Sequence, residues 1–381
     1  MAGIYIHIPY CVKKCAYCDF VSFAEPEAIG AYVGLLRREI ALSAQRLPKP
    51  GRVETVFFGG GTPSLLSGEQ MAAILDALRD HYPIDADAEI TTECNPGTAD
   101  GERLAAYRAA GVNRLSIGLQ SADDGLLAAI GRIHTCARFL TTVESAVDAG
   151  FSNINVDVMH GLPGQTEAQY LATLETVCAL KGITHVSAYA LILEQGTPLY
   201  RAVRAGRVQL PDEDAVADMQ DAGMAYLSER GFLRYEISNF AREGYACRHN
   251  LNYWRNGEYL GLGVAAHGAM HIDGVWTRRA NVETVGAYAA ALRADRLPVQ
   301  ETLTPVCAEE MFETVMLGLR TVRGVSLPDF KERFGISLFD AYPDAVAELR
   351  RLGWTSETAD AFSLNARGLD LQNEALLLFD P

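Results

Sequence analysis

Residues 4–20 read IYIHIPYCVKKCAYCDF. Ile4 to Ile8 mixes β-branched and aromatic residues, the composition of a short strand. Pro9 ends it, and Cys11, Cys15 and Cys18 follow directly in the spacing Cys-x-x-x-Cys-x-x-Cys. Three thiolates in one loop after a strand can hold three corners of a cubane [4Fe–4S] cluster. The fourth iron then lacks a protein ligand and stays open to a small chelating molecule. A zinc reading needs a fourth tetrahedral ligand, and His7 is the nearest candidate. His7 alternates with Tyr5 along the strand, so it reads equally well as a strand-face residue. The other cysteines (Cys94, Cys136, Cys178, Cys247, Cys307) are scattered singly, which does not suit a disulfide framework.

Working outward, the same rhythm repeats. Thr55–Phe58, Glu89–Glu93, Arg114–Ile117, Asn153–Val158 and His185–Ala190 read as further strands. Helical patterns separate them. Ser67-Gly-Glu-Gln70 is a capping box ahead of Met71, Ile74, Leu75 and Leu78, an i, i+3, i+4, i+7 stripe. Thr166-Glu-Ala-Gln169 opens another such helix. Gly111, Gly150 and Gly182 stand where glycines would end helices. Strands alternating with helices predict a parallel sheet of βαβ units, either open or curled into a barrel. In both cases ligands belong at the C-terminal ends of the strands. The residues expected on that rim are the cysteine loop, Gly59-Gly60-Gly61-Thr62, Glu93, Gln120, Asp157 and, through the loop after the fourth strand, Arg132. The glycines would let backbone approach a ligand closely. Glu93, Gln120 and Asp157 offer hydrogen-bonding groups to a polar ligand, and Arg132 could pair with an anionic one in a charge-assisted fork.

Composition sets the outer bounds. The 381 residues carry 33 Lys and Arg against 48 Asp and Glu, a net charge of −15, and 49% of residues are hydrophobic. A sizeable core can form. The acidic balance argues against sequence-independent binding to nucleic acid or anionic membrane. No apolar run approaches the ~20 residues of a transmembrane helix. The start MAGIYIHIPYC lacks a signal-peptide pattern, so the expected location is the cytoplasm.

The organisation predicted from this is three parts: 1–210 as the βα body, 211–297 as an extension and 298–381 as a C-terminal module. In the extension, Asp212–Gly231 reads as a helix, Phe232–Gly268 as an aromatic, Gly- and Asn-rich stretch, and Ala287–Ala294 as another helix. The C-terminal module reads helix (Glu309–Leu319), helix (Ser326–Phe334), helix (Ala341–Leu352), then two short strands, a winged-helix-like order. Residues 301–381 hold 7 Lys or Arg against 14 Asp or Glu, which speaks against DNA as the partner.

The spacing C-x3-C-x2-C with Tyr17 before the third cysteine resembles the signature of the radical S-adenosylmethionine superfamily. The segments YIHIPYCVKKCAYCDF, VFFGGGTPS, ITTECNPGT, RLSIGLQS and NVDVMHGLPGQT narrow the resemblance to the oxygen-independent coproporphyrinogen III oxidase-like group. It implies a partial (β/α)6 barrel with a C-terminal, mainly helical domain. It also implies a cluster on Cys11, Cys15 and Cys18, with S-adenosylmethionine chelating the open iron. On the same resemblance, Tyr5, Tyr17, Gly60, Gly61, Thr62, Glu93, Gln120, Arg132 and Asp157 contact S-adenosylmethionine. The true oxidases carry a fourth cysteine two positions after the third, where this chain has Phe20, and a longer N-terminal extension. The haem chaperone branch resembles this chain at both points. That branch also carries an H-N-x-x-Y-W motif, here His249-Asn250-Leu251-Asn252-Tyr253-Trp254. The resemblance assigns haem to His249, with Tyr and Trp supplying flat apolar surface. Cys247, two residues earlier, reads as a second ligand or as a buried thiol. The implied partners are haem, acceptor haemoproteins of the respiratory chain, and an electron donor such as flavodoxin or ferredoxin. A homodimer is compatible with the sequence. The alternative activity within the group is radical oxidative decarboxylation of coproporphyrinogen III.

Overall fold

In the computed structural model, residues 2–379 are described. Six parallel strands form its centre: β1 (Ala2–Ile8), β2 (Val53–Gly60), β3 (Ile84–Cys94), β4 (Arg114–Gln120), β5 (Ile154–His160) and β6 (Ile183–Ala190). Each pairs with the next in sequence order. The strands match the predicted ones in number and direction and run up to a few residues longer, except that β5 starts one residue later, at Ile154 and not Asn153. Both predicted capping boxes form, and Gln70 and Gln169 reach back to the Ser67 and Thr166 amides at 2.8 and 3.0 Å.

Side-chain alternation divides the sheet into two faces. Ile4, Ile6, Ile8, Val56, Phe58, Leu115, Ile117, Val156 and Val186 are fully buried in one large core shared with the surrounding helices. The opposite face is mostly polar: Tyr5 and His7, Thr55, Glu89 and Glu93, Arg114 and Ser116, Asn155 and Asp157, His185 and Tyr189. Parallel strands are usually apolar on both faces. Here the second face is the barrel interior, and its polar groups satisfy one another across strands. Asn155 Nδ2 donates to Ser116 Oγ (2.8 Å) and to Asp157 Oδ1 (2.7 Å), and Tyr189 donates to Gln120 (3.0 Å).

The segment 211–297, expected as an extension, adds strands to both edges of the same sheet. After the helix Glu213–Glu229, β7 (Leu233–Arg234) and β8 (Asn239–Ala241) add antiparallel beyond β6. Beyond a short helix, Arg248–Trp254, β9 (Glu258–Leu262) pairs parallel with β1 on the other edge. From there β10 (His267–Ile272), β11 (Val275–Asn281) and β12 (Val299–Leu303) continue antiparallel, giving a sheet of twelve strands. The sheet therefore runs past the expected boundary at 298, and the C-terminal module starts after Leu303.

That module has its own core around Val315, Phe330, Leu349 and Phe362. Its three-stranded sheet, β13 (Val325–Ser326), β14 (Thr355–Glu357) and β15 (Ala361–Leu364), accounts for the winged-helix-like pattern. The predicted helix 341–352 breaks at Tyr342, because Pro343 disfavours helical backbone before it and starts a new helix instead. Two short helices, Ala366–Asp370 and Gln372–Leu377, follow and were not anticipated. The module docks on the barrel through Arg278–Glu313 (2.8 Å) and Arg333 to the Asn256 carbonyl (2.8 Å). Among the described residues no helix is long and apolar enough to cross a membrane.

Candidate functional site

The cysteine loop leaves β1 at Pro9 and is pinned on both sides. The Cys11 amide donates to the Phe23 carbonyl (2.9 Å) and the Ala16 amide to Ile130 (2.9 Å). Tyr17 anchors the loop against Leu126, Ile130, Met159 and Leu162. All three cysteines are free thiols and part-exposed. Among the described residues no three His, Cys, Asp or Glu side chains converge closely enough for a single metal ion. A cubane does not ask for that, since each sulfur binds a different iron. His7, the possible fourth zinc ligand, is buried, with Nε2 at 2.9 Å from the Val21 carbonyl.

Cys11, Cys15 and Cys18 open onto one cavity at the C-terminal ends of the strands. Tyr17, Gly60, Gly61, Thr62, Glu93, Gln120, Arg132 and Asp157 line the same cavity. Eight of the nine residues marked from the sequence for S-adenosylmethionine thus meet there. The ninth, Tyr5, lies deeper in the barrel, stacked on Phe57 with its hydroxyl 3.1 Å from His7 Nδ1.

Arg132 ties the wall together. Its guanidinium donates to Cys15 Sγ (3.6 Å), Asn95 Oδ1 (2.9 Å) and the Gly118 carbonyl. Asn95 in turn donates to Thr62 Oγ1 (2.8 Å), which donates to Cys11 Sγ (3.4 Å). The Arg132 Nε is buried and has no partner. A buried orphan guanidinium N–H suits an incoming carboxylate.

Beyond lining the cavity, the glycines make room within the fold. Gly60 has φ +106°, and a Cβ there would meet the His7 ring at 2.5 Å. A Cβ on Gly61 would meet the Tyr10 carbonyl oxygen at 2.6 Å. The missing side chains therefore make room for β1 and the cysteine loop, bringing Thr62 onto Cys11. Gln120 is held at φ +71° where the register between β4 and β5 shifts. A non-glycine residue there carries strain on the order of 1–3 kcal/mol, a cost often found at binding sites. Its Oε1 accepts from Tyr189.

Burial, with Asp157 alongside, pushes the Glu93 carboxyl up to about 8, against a hydrogen bond from the Gly60 amide. Burial also raises Asp157, opposed by hydrogen bonds from Asn155 and Ser187. Two carboxyls sharing a poorly hydrated wall call for a cationic ligand. A ligand bearing amino and sulfonium groups would draw Glu93 into its ionised form. Binding below pH 8 then requires Glu93 to lose a proton. Affinity for S-adenosylmethionine is therefore expected to rise with pH between 6 and 8, by up to about tenfold per unit. Calorimetric titrations at several pH values should show this slope, and Glu93→Gln should flatten it. A wild-type slope as flat as that of Glu93→Gln would remove Glu93 from the binding wall.

His249 departs from its expected place. It lies not in an open loop but in the helix Arg248–Trp254, which closes the N-terminal end of the barrel, and it is 1% exposed. Its Nδ1 pairs with Thr55 Oγ1 and its Nε2 with Tyr253 Oη, each at 2.8 Å. Burial drives its pKa down to about 3, so the ring is neutral. With both nitrogens engaged inside the barrel, the imidazole in this conformation holds the helix to β2 and offers no lone pair to a haem iron. Cys247 is a buried thiol whose pKa burial raises to about 12, and it donates to Glu89 at 3.5 Å. Glu89 also accepts from the Arg248 and His249 amides at 3.1 Å each. It supplies the cap that Cys247, at the N-cap position, does not.

Asn95 and Tyr189 were not singled out from the sequence, although both line the cavity. Asn95 sits in the quoted segment ITTECNPGT, directly beyond Glu93 and Cys94, and that adjacency was the available signal. Tyr189 carries no comparable mark, being one aromatic among several near a strand end.

Comparison with known proteins agrees with this geometry. Residues 5–177 match the Radical SAM superfamily and residues 308–371 the HemN C-terminal domain. The protein named heme chaperone HemW from Bacillus subtilis is 36% identical over 381 residues, covering 100% of this chain and 99% of its own. This chain belongs to the HemW branch of the radical S-adenosylmethionine superfamily. The Escherichia coli protein of the same name is 36% identical over 389 residues, covering 99% of this chain and 97% of its own. The solved structure of E. coli coproporphyrinogen III oxidase (HemN) superposes with a TM-score of 0.83 at 22% identity. It covers 100% of this chain and 90% of that one, which establishes the shared fold. The partial barrel with a helical C-terminal domain is thus the architecture of this HemW-branch chain, as the motifs implied.

Proposed function

We propose that this protein is a haem chaperone, binding haem and passing it to acceptor haemoproteins such as respiratory cytochromes. The observation that carries the reading is the end-to-end similarity to proteins named heme chaperone HemW. Phe20 supports it locally: it stands where the decarboxylating enzymes of the group place a fourth cysteine, and it is 67% exposed beside the cluster loop. On this reading Cys11, Cys15 and Cys18 hold a [4Fe–4S] cluster. The orphan Nε of Arg132 and the Glu93–Asp157 pair receive the carboxylate and cationic groups of S-adenosylmethionine. Gln120 and Thr62 complete the wall, and Tyr17 keeps the loop seated. When bound, the cluster supplies one-electron chemistry, with flavodoxin or ferredoxin as the class of donor. The chain's own residues position the ligand and limit water at the open iron. The work is done in the cytoplasm, where thiols stay reduced.

The test is a haem titration of anaerobically reconstituted protein, run beside an assay with coproporphyrinogen III, S-adenosylmethionine and a reductant. Saturable haem binding near one equivalent, with no vinyl product, is the expected result. Vinyl product would overturn the chaperone reading in favour of oxidative decarboxylation. Absence of haem binding in the wild-type protein would also overturn it.

A further inference from the structure

The helix that closes the barrel has two faces. His249 and Tyr253, four residues apart, point into the barrel. Leu251, Trp254 and Arg255, at i, i+3 and i+4, line a cavity of about 750 Å³ on its outer side. The other walls are β7, β8 and the segment after them, and the C-terminal module from Thr314 to Arg333. The volume lies within the range of about 300–1,000 Å³ usual for sites that take a cofactor-sized molecule.

The chemistry of this wall is unusual for the chain. The protein carries −15 overall, yet the cavity is lined by five arginines (Arg234, Arg242, Arg255, Arg323, Arg333) against two acidic residues, Glu243 and Asp329. Arg333 and Arg234 are anchored by Glu310 (2.7 Å) and Asp370 (3.3 Å). Among the described residues, Arg242 and Arg323 form no ion pair, and both are exposed. Arg242 lies over the Phe232 ring at 4.5 Å and donates to the Arg230 carbonyl at 3.4 Å, with no carboxylate against it. Tyr235, Thr314, Thr321 and Ser326 add hydroxyls, and the remaining lining is apolar. Leu233 and Val322 stay 57% and 45% exposed, Trp254 adds a half-buried ring, and Phe330 backs the wall from the module's own core. Large apolar side chains left open beside unpaired guanidinia mark a site for a flat, apolar molecule that carries carboxylates.

We infer that this cavity, between the closing helix and the C-terminal module, is the porphyrin seat, gripping a dicarboxylic porphyrin through its propionates and not through its iron. The inference rests on the haem chaperone reading and gives it a location, at the end of the barrel away from the cysteine loop. The lining contains no His, Cys or Met. The one lining phenol, Tyr235, already accepts from the Cys247 amide (3.3 Å) and pairs with His185 Nε2 (2.8 Å). A metal ligand is therefore missing from the wall, whereas propionate partners and ring surface are present. A chaperone benefits from this division, because an iron left free of strong ligands can be taken by the acceptor.

The experiment titrates full-length, anaerobically reconstituted protein with haem, with iron-free protoporphyrin IX and with protoporphyrin IX dimethyl ester. Wild type is compared with the double variant Arg242→Glu, Arg323→Glu. Both positions are exposed, so the variant should fold, and cluster iron and sulfide content serves as the check. Haem and protoporphyrin IX are expected to bind wild type with affinities within about fivefold of each other. The ester and the double variant should each lose at least tenfold. If the variant binds haem as tightly as wild type, this cavity is not the seat, while the chaperone reading stands. If wild type binds haem but not the iron-free porphyrin, iron ligation holds the ligand and the inference falls. If wild type binds neither, the chaperone reading itself fails.

Discussion

Cys15→Ala is expected to strip the protein of its cluster while leaving the barrel folded. Cys15 sits on a part-exposed loop held mainly by backbone hydrogen bonds and the Tyr17 anchor, its own sulfur adding one long contact from Arg132 (3.6 Å). Losing one sulfur leaves two iron corners of the cubane without protein ligands, and a cluster held by Cys11 and Cys18 alone should not survive purification. Acid-labile sulfide and iron should fall close to zero after anaerobic reconstitution, and S-adenosylmethionine binding should fall with them because the open iron is gone. Far-ultraviolet circular dichroism should stay at the wild-type value. Cys307→Ala is the matched control, since Cys307 is exposed and lies far along the chain in the C-terminal module. Wild-type sulfide content in Cys15→Ala would show that the cluster is not held where the spacing puts it.

Arg132→Leu is the second large effect. The guanidinium braces Cys15, Asn95 and Gly118 and keeps its Nε in reserve. Hydrogen bonds to a charged partner contribute about 1.5–3 kcal/mol each. Removing this group should weaken S-adenosylmethionine binding on the order of 10- to 100-fold, since about 1.4 kcal/mol is tenfold. Arg132→Lys keeps the charge but loses the planar fork, so it should fall between wild type and Leu. Binding measured on protein of matched cluster content separates this loss from a loosened cysteine loop. Equal affinity in wild type and Arg132→Leu would mean that the ligand's carboxylate is held elsewhere.

The cavity at the strand ends was legible because chain order maps directly onto position in a parallel βαβ sheet. Each strand delivers its last residues to the same rim, so Gly60, Glu93, Gln120 and Asp157 could be gathered without knowing the curvature. Asn95 was missed because its contribution is a bridge between Thr62 and Arg132, and a bridge exists only once both ends are in place. The glycine run reads from the sequence as a place where a ligand comes close; in the structure the His7 ring comes close to Gly60 from within the fold, while both glycines also line the cavity.

His249 shows the opposite case. A histidine beside two aromatics reads from its residues alone as more often structural, and only the family resemblance makes it a haem ligand; nothing in HNLNYW says which face of the helix meets the barrel. Packing decides it. Thr55, Glu89 and Tyr253 each present a polar group that would be costly to bury alone, and the imidazole and its amide satisfy them. That leaves Trp254 and Arg255 for the cavity behind.

Chain order and residue spacing are enough to set the alternation of strands and helices, the loop that carries three thiols, and the rim on which a cofactor would rest. These follow from local periodicity and from spacing within a few residues. Long-range packing is what makes 211–297 extend the sheet at both edges, turns His249 into the barrel, and gathers arginines from β7, the segment after β8 and the C-terminal module around one cavity. Those arginines lie up to about a hundred residues apart in the chain. Their approach is set by how two separate cores dock, which no local pattern encodes.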